Sequence, residues 1–170
     1  MNRLAPVSAT QDHIDGPLDA PSVLIEYGDF ECPYCGEAYP QLKAVKEAMG
    51  DALCFVFRHF PLRQAHPHAQ RAAEFAEGAA TIGKFWQMHA LLFENQQALT
   101  DADLIAYAKR LGMDAKLVEA VLAGNFTARV QHDFTSGVRG GVNGTPCLFL
   151  NGERYDGPRD ATTLIELMRG

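Results

Sequence analysis

Hydrophobic positions along this chain fall into two kinds of pattern. Short apolar runs are bounded by turn residues, and longer stretches repeat an apolar residue every three or four positions. Val23-Leu24-Ile25-Glu26-Tyr27, between Pro21 and Gly28, has the length and bounding of a buried strand, with Glu26 as its one anomaly. After Cys32, Ala38, Leu42, Val45 and Met49 keep helical spacing up to a glycine stop at Gly50, and Pro40 inside that helix predicts a kink. Leu53 to Phe57 reads as a second strand. A strand-helix-strand order with so long a connection predicts a parallel pair joined by a right-handed crossover.

The pattern then turns helical over about residues 66–136. Ala69, Ala72, Ala73, Phe75, Ala76 and Ala79 form one stripe, with Pro67 as a first-turn proline, and Phe85, Met88, Leu91 and Leu92 form another. Thr100 and Asp103 open a further helix that closes at Gly112, and one from Asp114 to Leu122 closes at Gly124. Cys147 to Leu150, Asn151-Gly152 and Glu153 to Tyr155 read as a tight hairpin, because Asn-Gly accepts the positive φ such turns need. Thr162 to Met168 is a last short helix. The reading is an α/β domain over 21–170 with an all-helical insertion between the second strand and the C-terminal hairpin, preceded by an N-terminal arm, 1–20.

At 170 residues and 47% hydrophobic content, such a domain builds a core without staples. A net charge of -6, a pI near 5.4 and the absence of any Lys/Arg run argue against nucleic acid as a partner. No apolar run reaches the length of a membrane span or a signal-peptide core. The expectation is a cytoplasmic protein with no membrane partner, or a periplasmic or extracytoplasmic one if a leader has been removed. Four cysteines are too few for a disulfide scaffold, so the closely spaced Cys32 and Cys35 point to redox chemistry or metal.

Three-residue spacing on a helix puts both sulfurs on one face, near enough to form a disulfide. At the helix N-terminus, Cys32 meets unpaired N–H groups and the positive end of the dipole, which favour thiolate, and Pro33 costs no hydrogen bond there. Cys32 is thus expected as an exposed attacking sulfur and Cys35, one turn deeper, as the resolving thiol. Glu26, an acid in an apolar strand running toward the pair, is the candidate to exchange a proton with Cys35, with a pKa raised by burial. Zinc wants four ligands, usually with a second close pair, and Cys54 and Cys147 stand alone in apolar strands, so no metal is expected. His59, His66, His68, His89 and Trp86 could be mistaken for a catalytic set, but the helix-start pair explains Cys32 without one; Trp86 and His89 read as helix packing and surface, and His66 as a helix-entry residue.

Phe30-Glu31-Cys32-Pro33-Tyr34-Cys35 after the first strand, and Gly144-Thr145-Pro146 before the hairpin, together resemble the thioredoxin superfamily and its DsbA-like branch. The likeness runs over nearly the whole chain from Pro21, and the runs at 57–61 and 85–89 are similar to bacterial members. It implies a thioredoxin-like fold with a helical insertion, Pro146 as a cis-proline facing the cysteine pair, and Thr145 presenting backbone groups to an extended substrate. Glu26, six residues before Cys32, matches the buried acid of that branch. Tyr34 stands where a histidine is common, and Cys147 follows the cis-proline where a non-thiol is expected.

The leading functional expectation is a dithiol-disulfide oxidoreductase acting on thiol or disulfide substrates, polypeptides above all, together with a separate redox partner. Its only redox group would be the Cys32–Cys35 disulfide, with no other cofactor. Phe30, Pro33, Tyr34 and Pro61 would form an exposed apolar contact patch. A glutathione-linked reductase or transferase is the alternative, because CPYC also resembles the glutaredoxin motif. A zinc-binding or chaperone-like module is the non-enzymatic one.

Overall fold

The computed structural model describes residues 2–169. Strands β1 (His13–Asp15), β2 (Ser22–Gly28), β3 (Leu53–His59), β4 (Cys147–Leu150) and β5 (Glu153–Tyr155) make one sheet in the order β1-β3-β2-β4-β5. Helix α1 (Pro33–Met49) carries the chain from β2 to β3, and these two strands pair in parallel, with Glu26 opposite Phe57. Every residue of β3 is buried and all but one of β2, which explains why both runs are almost continuously apolar rather than alternating. Helices α2 (Ala69–Ala80), α3 (Phe85–Glu94), α4 (Asp101–Arg110), α5 (Ala115–Leu122) and α6 (Thr127–Arg139) form the insertion, and α7 (Ala161–Arg169) packs against α1.

Local chemistry sets most of the boundaries. Thr100 and Asp103 complete a reciprocal capping box on α4, and Asp114 caps α5 through Leu117 N–H at 2.8 Å. Asn151 and Gly152 both have positive φ, 51° and 88°, which closes the β4–β5 hairpin as the Asn-Gly pair predicts. One expectation shifts: α2 begins at Ala69, so Pro67 lies in the turn before the helix rather than in its first turn, while α1 includes Pro40 within its length.

Residues 2–20 supply structure of their own. His13 to Asp15 add an antiparallel edge strand to β3. Arg58, 2% exposed, donates through Nε and Nη2 to the two carboxylate oxygens of Asp12 at 2.8 and 2.9 Å, and through Nη1 to the Tyr27 hydroxyl at 2.9 Å. A buried guanidinium with a bidentate carboxylate is the arrangement in which an ion pair overcomes its desolvation cost, and it fastens the arm to the sheet.

Alternation along the strands sorts the interior into two cores. Leu24, Phe55, Phe57 and Leu148 join α1 to α5 and α7 on one face, while Ile25, Tyr27, Cys54, Val56, Cys147 and Phe149 join Phe60, Val142 and the N-terminal arm on the other. Glu26 therefore shares the first face with Cys32 and Cys35, and Cys54 and Cys147 do not.

Candidate active site

Cys32 is the N-cap of α1 in extended geometry, Pro33 follows at the first helical position, and the Cys32 carbonyl accepts the first helical bond from Gly36 N–H at 3.0 Å. Two side chains hold this turn, one just before it and one from far along the chain. Asp29, fully buried at its carboxylate, accepts N–H bonds from Glu31, Cys32 and Leu62 and a further bond from His66 Nδ1 at 2.7 Å. Gln96 donates through Nε2 to the carbonyls of Phe30 and Cys32 at 2.9 and 2.8 Å. Gly36 is needed for that approach, since a Cβ there would sit 2.1 Å from the Gln96 oxygen.

The two sulfurs have opposite environments. The hydrogen bond from the Cys35 thiol is the largest cause that brings Cys32 down to about 5, against burial, with help from the Thr145 side chain and the N–H groups of Tyr34 and Cys35. Cys35 is pushed well up by burial, then by its bond to Cys32 and the charge of Glu26. Thr145–Pro146 is a cis peptide, and the Thr145 carbonyl oxygen lies 3.6 Å from Cys32 Sγ, so this loop faces the pair. Glu26, 2% exposed, is raised to about 8 by burial, partly opposed by the charges of Lys46 and Arg159. It lines a cavity of about 190 Å³ with Tyr39, Lys46, Trp86, His89 and Glu94, which has room for water.

The placement corrects several expectations. Cys32 is only 3% exposed, because the cis-proline loop and the clamp at 29–31 close over it, so the attacking sulfur sits in a recess rather than on the surface. Phe30, 1% exposed, packs on Phe57 and Phe93, and Pro61 is buried; only Pro33 and Tyr34 of the proposed contact patch are open to solvent. His66 is no mere helix-entry residue, since it is tied to Asp29 beside the cysteine turn; burial, the largest influence, lowers its pKa, but the Asp29 hydrogen bond together with the charges of Asp29, Cys32 and Glu31 outweighs it and raises the value. His89 falls on the packing side of its expected role, buried among Phe30, Phe57 and Phe93.

Asp29 and Gln96 were not legible as site residues. Asp29, bonding N–H groups two and three positions on, carried a faint local signal as a turn-capping acid, whereas Gln96 and His66 reach the site from segments far along the chain. Cys147 is buried on the opposite face of the sheet, paired in register with Tyr27. Cys147→Val is accordingly expected to leave disulfide exchange within about twofold of the parent, and mapping of the oxidised protein to find only the Cys32–Cys35 bridge. A bridge to Cys147 would contradict this placement.

A sheet of this order, with a cysteine pair at a helix start facing a cis-proline loop, defines a thioredoxin-type dithiol protein with a helical insertion. The chain belongs to the thioredoxin family, whose model matches residues 8–169. Its fold is DsbA-like. It is similar to oxidised BdbD from Bacillus subtilis, with a TM-score of 0.83 and 22% identity over 95% of this chain and 93% of that one. It is also similar to α-DsbA1 from Wolbachia pipientis, with a TM-score of 0.81 and 16% identity over 98% and 92%. Relatives in sequence include proteins named Na(+)/H(+) antiporter NhaA 3 from Salinispora tropica, 44% identical over 164 residues, and NhaA 1 from Mycobacterium sp. strain KMS, 43% identical over 166. These matches cover 95% and 96% of this chain, which spans about a quarter of the relatives' length, 25% and 27%.

Proposed function

We propose that this protein exchanges disulfides with polypeptide thiols through Cys32 and Cys35, and that its disulfide acts as the oxidant. The observation that carries the reading is the asymmetry of the pair: one sulfur sits at the helix cap beside the cis-proline loop, held as thiolate, and the other lies one turn deeper, fully buried and held as thiol. A drop from 9.0 to about 5 favours the reduced protein by roughly 3 kcal/mol at pH 7, which makes the disulfide more oxidising by on the order of 60 mV.

In the forward step a substrate thiolate attacks Cys32 Sγ, the Cys32–Cys35 bond breaks, and the electron pair leaves on Cys35. The departing Cys35 takes a proton that Glu26 holds, and Glu26 regains one through its cavity. A second substrate thiolate then attacks the substrate sulfur, forming the substrate disulfide and releasing Cys32 as thiolate. An extended polypeptide would lie along the backbone at Thr145 and Pro146, with Pro33 and the 60% exposed Tyr34 as its apolar contacts.

Cys54 and Cys147 lie across the sheet, and the pair joins no group of three or more metal-ligating side chains among the described residues, so nothing favours the zinc-module reading of Cys32 and Cys35. Ion exchange is not part of the proposal, because none of the described helices is long and apolar enough to cross a membrane and the chain spans only a quarter of the relatives named for it. The cytoplasmic location expected from the sequence gains no support from fold or relatives.

Cys35→Ser is expected to accumulate mixed disulfides through Cys32 when offered an unfolded disulfide-bearing polypeptide, seen as a mass shift reversed by dithiothreitol. The parent turns over without accumulation. Absence of adducts would refute the assignment of the two sulfurs. Adducts with glutathione disulfide but none with polypeptide would move the reading to the glutathione-linked class.

A further inference from the structure

Away from the cysteine pair, three ligand-type side chains from three separate elements converge. His13 on β1, His59 on β3 and Glu77 on α2 bring one donor atom each to within 4.8 Å of one another. Nε2 of His13 and Nε2 of His59 lie 2.6 and 2.7 Å from the same carboxylate oxygen, Glu77 Oε2. We propose that His13, His59 and Glu77 form a three-ligand site for a divalent transition-metal ion of the zinc class, clasping the N-terminal strand and the helical insertion to the sheet.

The donor set fits that class. Two imidazole nitrogens and one carboxylate oxygen, with a water in the fourth position, match the borderline preference of zinc and its neighbours and are too nitrogen-rich for calcium or magnesium. The site is also built. The His13 ring stacks on Phe85 at 3.6 Å between centroids and 5° between planes, and His59 is edged by Phe57 and Phe85, so neither ring turns freely. His59 is 1% exposed and its Nδ1 has no hydrogen-bond partner, so the ring's polar contact is through the nitrogen aimed into the cluster. Glu77 gives Oε2 to the histidines while its Oε1 faces Arg129 Nε at 3.5 Å, and Arg129 donates to Asp133, whose other oxygen accepts His59 N–H. That outer layer orients the carboxylate and offsets the Arg129 charge.

In the metal-free state each Nε2 donates its proton to Glu77 Oε2, so binding must shift that proton from Nε2 to Nδ1 on both imidazoles to free the Nε2 lone pairs for the ion. Glu77 is already ionised, because the two histidine hydrogen bonds outweigh burial and hold it far below the ordinary carboxylate value. Ligand atoms bound at about 2.1 Å in tetrahedral geometry stand roughly 3.4 Å apart, so each of the two His–Glu77 spacings must open by roughly 0.7 Å.

The test uses protein fully oxidised at Cys32–Cys35, which removes both thiolates as competing ligands. Titration with Co(II), followed by visible absorption and then displaced by Zn(II), is expected to show one ion per chain in tetrahedral or five-coordinate geometry. His13→Ala, on the edge strand, and Glu77→Gln, which keeps a hydrogen-bond acceptor for both rings, should each weaken it by roughly a hundredfold or more. Zn(II) should raise the melting temperature of the parent and not of either variant. Parent binding no tighter than that of both folded variants would overturn the proposal, leaving a purely hydrogen-bonded His–Glu–His cluster.

Discussion

Alkylated by iodoacetamide after full reduction, the protein should lose the Cys32 thiol first, with a rate whose pH midpoint lies near 5, while Cys35, Cys54 and Cys147 stay unmodified. The value follows from the hydrogen bond of Cys35, the Thr145 side chain and two backbone N–H groups, which together outweigh burial. Burial raises the other three, so their thiolate fractions at neutral pH are small. Because the largest contribution comes from Cys35, Cys35→Ala should move the midpoint upward, part of the way back toward 9.0, leaving only the helix terminus and Thr145 to favour the thiolate. The sign for stability is also set. A folded-state value depressed from 9.0 to about 5 stabilises the reduced protein fully above pH 9, and that contribution is lost as pH falls through about 5. Reduced protein should therefore lose stability relative to oxidised protein between neutral pH and pH 5. A midpoint that does not respond to Cys35→Ala would mean that the thiolate is held by something other than the neighbouring thiol.

Glu26→Gln should have two effects of opposite benefit. Turnover should fall by roughly a hundredfold below pH 8, because the buried leaving thiolate of Cys35 loses its proton source, and the deficit should shrink above about 8, where Glu26 in the parent is itself ionised. Stability should change the other way. A carboxyl whose folded value is raised from 4.5 to about 8 gives its full relative stability below 4.5 and loses it as pH rises through 8. The parent should therefore become easier to unfold in urea across that window, and Glu26→Gln should remove most of this slope, by several kcal/mol at the alkaline end. Both measurements are needed together. A flattened stability profile with unchanged turnover would leave Glu26 as a buried acid with no part in exchange.

Local pattern alone determined a good deal of this protein. The two central strands, the helix that starts at Cys32, the capping box at Thr100 and the Asn-Gly hairpin are governed by residues within a few positions of one another. Near-neighbour rules of propensity, capping and turn chemistry therefore reach them. The Cys32–Cys35 pair belongs to the same category, since spacing and helix-start placement are properties of one short segment. Glu26 was readable for a different reason: an acid is costly in an apolar strand buried on both faces, so its presence there stands out.

The environment of that segment was decided only by the tertiary structure. Whether Cys32 is open or recessed depends on the Thr145–Pro146 loop, more than a hundred residues away, and the turn is held by Gln96 and by Asp29 with His66, none of which has a periodic signature. Phe30 looked like a surface contact because it flanks the motif, and it is buried because α3 brings Phe93 against it. The N-terminal arm showed no strand pattern. His13 to Asp15 are extended because the free edge of β3 offers unpaired backbone groups, and Asp12 is drawn in by a buried guanidinium 46 residues on. The His13–His59–Glu77 cluster is the extreme case. Its members come from an arm, a strand and a helix, and they meet only because chain entropy has been overcome elsewhere by the packing of two cores, a gain that no local window of sequence contains.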